Sequence, residues 1–217
     1  MKIKILIIAL TVMSMLSCNK DPDFNYPEGT VGISRITYFP IMTLKGSSIV
    51  LVQKGGTYTE AGVTAKVGSA DVQYTTSGAV NVNTPGVYTL TYTAKNADGF
   101  SASARRTVVV YDTDAGAAAN DLSGSYLRAS TGQLAKWTKL GPGVYQIDNP
   151  GGAVGVNLQV IAVNPTGFTV SIPSQISSDG NTSSSSNFTY VNGTPPSYTL
   201  IFLNPGYGTG VRSFVKQ

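Results

Sequence analysis

The sequence predicts an all-β protein, and three observations carry that expectation. Charged residues make up only 12% of the chain, against roughly 25% in average globular proteins. Gly, Ser, Thr, Asn and Tyr fill the gap, a mixture of turn formers with β-branched and aromatic strand formers. From Val31 onward the apolar residues alternate rather than recur with a helical period, and Gly-, Pro- and Asn-bearing turn signals separate the runs. The expected architecture is an N-terminal β-sandwich followed by a C-terminal antiparallel β meander or barrel-like domain.

The first element is an export signal. Lys2 and Lys4 give a positive start, and Ile5 to Leu16 is an uncharged, mostly apolar run. A run of about 12 residues is too short for a bilayer core of about 30 Å, but it has the length of a signal-peptide core. Met15-Leu16-Ser17-Cys18 resembles the lipobox of bacterial lipoproteins, with Met15 where Leu is usual. The resemblance implies that residues 1–17 are removed and that Cys18 becomes a lipidated N-terminus. An ordinary cleaved signal beside a stray thiol is the plainer alternative. Two or more acyl chains hold a protein at a membrane stably, at about 0.8 kcal/mol per buried CH₂. Residues 18–30 read as a lipidated tether, with Pro22, Pro27 and Gly29 among polar residues. Its start, Asn19 to Asp23, resembles the short acidic export tag of Bacteroidota surface lipoproteins, which implies an outer-membrane, cell-surface location.

Region one spans residues 31–111. Strands are expected at Ile33–Phe39, Ser48–Gln53, around Gly62–Ala65 and Val72–Tyr74, and then in the clearest hairpin of the chain. Pro85-Gly86 suits a type II turn into a strand. In that strand Tyr88, Leu90, Tyr92 and Ala94 share one face and Thr89, Thr91 and Thr93 the other, as in a half-buried antiparallel strand. Lys95 to Gly99 turns the chain, and Ser101 to Tyr111 returns with Val108 and Val110 facing inward. The stretch GTYTEAGVTAKVG…SGAVNVNTPGVYTLTYTAKNADGFSASARRTVVV resembles the bacterial immunoglobulin-like domain of surface lipoproteins and adhesins, over Gly55 to Val110. The resemblance implies an immunoglobulin-like sandwich serving as spacer or assembly platform, with Tyr88 as its corner tyrosine. The antibody-type disulfide and buried tryptophan are absent from this region.

Residues 112–120, small and polar, read as a solvated interdomain linker. Asp112 and Asp114 are too few for a Ca²⁺ site, which takes six to eight oxygens. Region two, residues 121–217, offers eight short candidate strands: Gly124–Ala129, Leu134–Leu140, Val144–Asp148, Val156–Val163, Gly167–Ile172, Asn187–Val191, Ser197–Leu203 and Val211–Val215. Turns such as Gly141-Pro142-Gly143 and Asn149-Pro150-Gly151-Gly152 separate them, and Ser177 to Asn187 reads as a Ser-rich loop. The phrases DLSGSYLRAS and KLGPGVYQIDNPGG resemble the C-terminal β domain of two-domain Bacteroidota lipoproteins associated with starch-utilisation-like glycan uptake systems. That resemblance implies an accessory role in polysaccharide uptake.

Composition excludes several classes. There is no histidine, and Cys18 is the only cysteine, so Ser-His-Asp, Cys-His and His/Cys metal sites are ruled out. Loss of Lys2 and Lys4 with the signal lowers the formal charge of +4 by two, and no basic cluster exceeds Arg105-Arg106. Nucleic-acid binding needs more. Glycan hydrolysis needs two carboxylates across a cleft; region two has only Asp121, Asp148 and Asp179. The expectation is a non-enzyme without cofactor or metal. Its expected partners are the membrane through the lipid anchor, a polysaccharide and an outer-membrane transport partner.

A glycan-binding face needs flat aromatic rings and hydrogen-bonding side chains. The candidates are Trp137, whose parity with Ala135 and Lys139 opposes that of Leu134 and Leu140, and Tyr207, set among glycines. Asp148, Asn149 and Asn204 stand at nearby turns, where Asn and Asp also serve turn chemistry. Tyr126, Tyr145, Phe168, Tyr198 and Phe202 are assigned to the core. The rival readings are a non-enzymatic adhesin or assembly component, and a lipocalin-like carrier if the barrel interior is empty.

Overall fold

The computed structural model describes residues 29–31 and 34–217. The expected export signal, the expected lipidation site Cys18 and residues 18–28 of the expected tether lie outside the described residues. The chain divides into two units, Met1–Tyr38 and Phe39–Gln217. In the first, β1 (Thr30–Val31) pairs antiparallel with β2 (Ser34–Arg35), and the Ile36 amide donates to the Gly29 carbonyl at 2.7 Å.

The second unit begins with the immunoglobulin-like sandwich. Its smaller sheet has the order β3-β5-β6, from β3 (Pro40–Leu44), β5 (Val63–Val67) and β6 (Ala70–Asp71). The larger has the order β4-β9-β8-β7, from β4 (Ile49–Gln53), β7 (Tyr74–Ser77), β8 (Gly86–Lys95) and β9 (Ser101–Tyr111). β4 runs parallel to β9, while β8 and β9 form the long hairpin seen in the alternation. Leu90, Tyr92, Ala94, Val108 and Val110 are buried, packing with Val52 and Val63 from the strands opposite or beside them. The Tyr88 hydroxyl donates to the Thr84 carbonyl at 2.7 Å, four residues back, and so pins the corner.

The turn before β8 differs from the sequence expectation. Gly86 starts the strand and is not in the left-handed region. The reversal falls earlier, at Asn81–Thr84, where the Asn81 side chain accepts from the Asn83 amide and donates to Thr84 Oγ1. An Asx turn supplies the bend that Pro-Gly was expected to supply.

The second unit continues into an eight-stranded antiparallel sheet. Its strands are β10 (Gly124–Arg128), β11 (Gln133–Gly141), β12 (Val144–Asp148), β13 (Gln159–Val163), β14 (Gln175–Ile176), β15 (Thr182–Val191), β16 (Ser197–Leu203) and β17 (Val211–Lys216). The order β13-β12-β11-β10-β17-β16-β15-β14 curls until its edges meet, giving a nearly closed barrel. A side chain completes the seam: the Ile161 amide donates to Gln175 Oε1 and Gln175 Nε2 donates to the Ile161 carbonyl, both at 2.7 Å. One glutamine amide thus imitates a peptide unit across the gap. The Ser-rich stretch is only in part a loop, because Thr182–Val191 is strand, with a bulge at Asn187 (φ 50°). Gly167–Ile172 forms no strand; it meets the sheet through the Val163–Ser171 bridge and through Ile172, whose amide donates to Ser185 Oγ and whose carbonyl accepts from the Ser185 amide.

The barrel interior is filled by Tyr126, Trp137, Tyr145, Tyr198, Phe202 and Phe214, with aliphatic residues between them. The packing rules out the carrier reading, which required an empty cavity.

The segment 112–120 does not behave as a solvated linker. It carries α1 (Ala115–Ala119), capped by Asp114, whose carboxylate accepts from the Ala117 amide, and Ala117 is fully buried. Lys139 Nζ donates to the carbonyls of Ala118 and Asn120, Tyr145 Oη donates to the Asn120 carbonyl, and the Asp114 amide donates to the Pro165 carbonyl. Beside it, Val109 of β9 is buried against Val144 and Ile161 of the barrel, with Ile49, Leu51, Val87 and Leu140 packed around them. Burying such a side chain contributes about 1.5–3 kcal/mol, so the sandwich and the barrel share a dry seam. Gly141 belongs to it: a Cβ there would stand 2.5 Å from Leu51 Cδ1.

Candidate functional site

The expected aromatic platform does not form. Trp137 is 2% exposed and lies inside the barrel, with ring centroids of Tyr126, Tyr145 and Tyr198 at 5.5, 5.8 and 5.2 Å. Its Nε1 donates to Tyr198 Oη at 3.3 Å. Tyr207 is half-buried, edge-on to Phe202 at 5.0 Å, with the Arg212 guanidinium 5.5 Å from its ring centroid. Gly151 comes so close that a Cβ there would overlap the Tyr207 ring. A ring expected to lack neighbours is clamped between a loop and a cation.

The polar candidates are mostly structural. Asn149 has φ 54°, and its side chain both donates to the Ala153 carbonyl and accepts from the Ala153 amide, so it builds its turn. Asn204 is buried and donates to Asp179 Oδ2 and to Ser183 Oγ, each at 3.0 Å. Asp179 also accepts from Ser177 Oγ, the Asn181 amide and Asn181 Nδ2. Desolvation pushes its carboxyl up, but the donors on Ser177, Asn181 and Asn204 outweigh it and hold the pKa well below the usual carboxylate range. A depressed pKa stabilises the fold above the unfolded-state value, about 3.9, and the contribution is lost as pH falls through the folded-state value. Asp179→Asn is therefore expected to lower stability at pH 7 by about 1 kcal/mol, a modest figure because the carboxylate is exposed to solvent. In urea titrations the deficit shrinks at pH 3; an equal deficit at both pH values contradicts the linkage.

Asp148 leads elsewhere. Its Oδ1 accepts from Gln146 Nε2 at 3.0 Å and Gln159 Nε2 at 2.9 Å. These two amides, on β12 and β13, line a cleft of about 270 Å³ whose opposite wall is the threonine face of the sandwich. Thr89 and Thr107 are cross-strand partners on β8 and β9, and Arg105 lies two residues from Thr107 on the same face. Ser177 and Ser178 join them from the loop after β14. The cleft is thus lined by amides, hydroxyls and one guanidinium, with the apolar Ile49, Ile161 and Ile176 among them.

Of the sequence candidates, only Asp148 belongs to this arrangement, as the group that fixes two of its amides. Asn204 and Tyr207 adjoin one another, the Tyr207 amide donating to the Asn204 carbonyl at 2.9 Å, whereas Trp137 is buried in the barrel. The cleft residues missed in the sequence did leave a trace. Gln146 is a lone amide between the apolar-bodied Tyr145 and Ile147, and Thr89, Thr91 and Thr93 set a row of hydroxyls on one sheet face.

Geometry therefore defines the class as an immunoglobulin-like sandwich joined to a nearly closed β-barrel. Comparison with known proteins agrees for the first part: residues 42–110 match the family model described as bacterial surface protein, Ig-like domain. Among solved structures, the chain is similar to the lipoprotein BT2262 from Bacteroides thetaiotaomicron, with a TM-score of 0.42 and 24% identity, over 82% of this chain and 100% of that chain. No curated protein matches the chain.

Proposed function

We propose that the chain is a lipid-anchored cell-surface accessory protein that binds glycan without cleaving it, as part of a polysaccharide uptake system with an outer-membrane transport partner. The cleft is the observation that carries this reading. Its hydroxyls and amides match the donor and acceptor groups of a saccharide, and apolar side chains line the same cleft. Concave, partly apolar surfaces with a few convergent polar groups are the usual form of ligand sites. The lipobox resemblance at Cys18 and the surface-domain match over residues 42–110 support the location. Asp148 and Asp179 accept hydrogen bonds within the fold, which supports a reading of binding without cleavage.

Two measurements test this. Calorimetry of the full-length protein in detergent against a glycan panel is expected to give saturable binding, and absence of binding to every glycan overturns the ligand. Growth with a radiolabelled fatty acid is expected to label the wild type and not Cys18→Ser; a bare thiol at residue 18 overturns the anchor.

One observation favours the adhesin or assembly reading. Phe39 and Phe100 are 56% and 48% exposed with their rings 5.1 Å apart, an aromatic pair on the sandwich surface. Exposed aromatics are enriched at protein interfaces. A partner protein that co-purifies from native membranes, is lost in Phe100→Ser and ignores added glycan would favour that reading.

A further inference from the structure

Arg105 and Arg106 are neighbours in sequence with opposite fates. Strand alternation sends Arg106 into the sandwich, where its guanidinium donates to the carbonyls of Lys45, Ser47 and Gly62. Arg105 faces the cleft instead, is exposed, and has no hydrogen bond or ion pair among the described residues. Its guanidinium lies beside Gly180, where a Cβ would stand 3.4 Å from Nη1.

No carboxylate forms an ion pair with it among the described residues, although Asp179, next to Gly180, keeps its charge. Two carboxylates bond to side chains of the cleft wall, and both are occupied. Asp148 receives the amides of Gln146 and Gln159; Asp179 receives Ser177, Asn181 and Asn204. An unpaired surface arginine is ordinary on a convex face. On a concave wall with apolar neighbours the same charge acts through a poorer dielectric, and the cleft focuses its field.

We infer that the cleft selects saccharides carrying an anionic group, a uronate carboxylate or a sulfate ester, and that Arg105 is the residue that selects them. The inference rests on the glycan reading above and names the substrate class for the same site. The planar fork of a guanidinium meets two oxygens of such a group at once. Thr89, Thr107 and the amide oxygens of Gln146 and Gln159, which accept no hydrogen bond among the described residues, remain for ring hydroxyls. A hydrogen bond to a charged group is strong enough to separate anionic from neutral ligands by about tenfold.

The test is calorimetry of the full-length protein in detergent against three probes: oligogalacturonate, a sulfated galactan oligosaccharide and the neutral galacto-oligosaccharide. The anionic probes are expected to bind about tenfold more tightly than the neutral one, and the advantage to fall with added salt. Comparing the two anionic arms tells carboxylate from sulfate. Arg105→Gln, at an exposed position, is expected to fold normally and to bind all three with the affinity of the neutral probe. Equal wild-type affinity for charged and neutral probes overturns the anionic selection while leaving glycan binding in place, and so does a preference that survives Arg105→Gln. Failure of all three probes to bind overturns this inference, and silence across the wider panel overturns the glycan reading with it.

Discussion

Arg106→Met is expected to destabilise the protein by about 3–5 kcal/mol, the cost of breaking a buried ion pair from one side. The Arg106 side chain is 2% exposed, and its Nε lies 3.0 Å from Glu60 Oε1. The Tyr58 hydroxyl donates to the other carboxylate oxygen of Glu60, and the Gly62 amide donates to Oε1. Desolvation pushes the Glu60 carboxyl up, but Tyr58, the Gly62 amide and the Arg106 charge together hold it below its ordinary value. Methionine fills much of the same volume and offers none of the donors. Glu60 loses its cation, and the carbonyls of Lys45, Ser47 and Gly62 lose their donor. For a chain of this size each kcal/mol moves the thermal midpoint by roughly 2–4 °C, so a fall of about 10 °C is expected in calorimetry. Arg106→Lys recovers only part of it, because an ammonium has no fork to reach several carbonyls. The pair also brings acid sensitivity. A depressed Glu60 pKa stabilises the fold above the unfolded-state value and ceases to do so as pH falls through the folded-state one. The gap between wild type and Arg106→Met therefore narrows in acid. A methionine variant within about 1 kcal/mol of wild type would show that this cluster does not hold the sandwich together.

The alternation in β8 and β9 was readable because one face of a half-buried strand repeats every second residue. Tyr88, Leu90, Tyr92 and Ala94 follow it inward, and the threonines stay outside. The same pattern contained an unread warning. Val108-Val109-Val110 leaves Val109 apolar on the supposed solvent face, and in the structure Val109 seals the sandwich against the barrel. A strand that is apolar on both sides is covered on both sides. The small polar composition of residues 112–120 suggested freedom, but backbone hydrogen bonds set by residues far along the chain fix the segment. Similarly, the serines of 177–187 suggested a loop, while Ser183 is fully buried and bonded to Ser177 and Asn204. Tertiary context overrides propensity at such positions. The seam at Gln175 has no sequence signature at all, since a two-residue strand shows no period. The cleft was illegible for a related reason: its walls come from β8, β9, β12, β13 and the loop after β14, which only the fold brings together.

Trp137 was half legible, and its misplacement leads to the second large effect. Its parity with Ala135 and Lys139 is correct, but that face points inward: Ala135 is buried while Leu134 is exposed. A barrel interior takes the largest rings, and the aliphatic Leu140 instead packs into the seam beside Val109. Trp137→Ala is accordingly expected to cost about 3–5 kcal/mol, enough to threaten folding of the barrel. Trp137→Phe separates packing from polarity. Most of the ring contacts survive, but Tyr198 Oη, inside the core, loses its only hydrogen-bond partner among the described residues, at a cost of about 1–3 kcal/mol. Tyr198→Phe made in that background removes the stranded hydroxyl and should cost less than it does in the wild type. A double-mutant cycle by denaturant unfolding measures this coupling. Additive single effects would mean that the indole–phenol bond contributes nothing. Binding gives an independent check: if Trp137 were a sugar platform, Trp137→Phe would weaken glycan affinity at unchanged stability. A core residue does the reverse, lowering stability while the folded fraction binds as before.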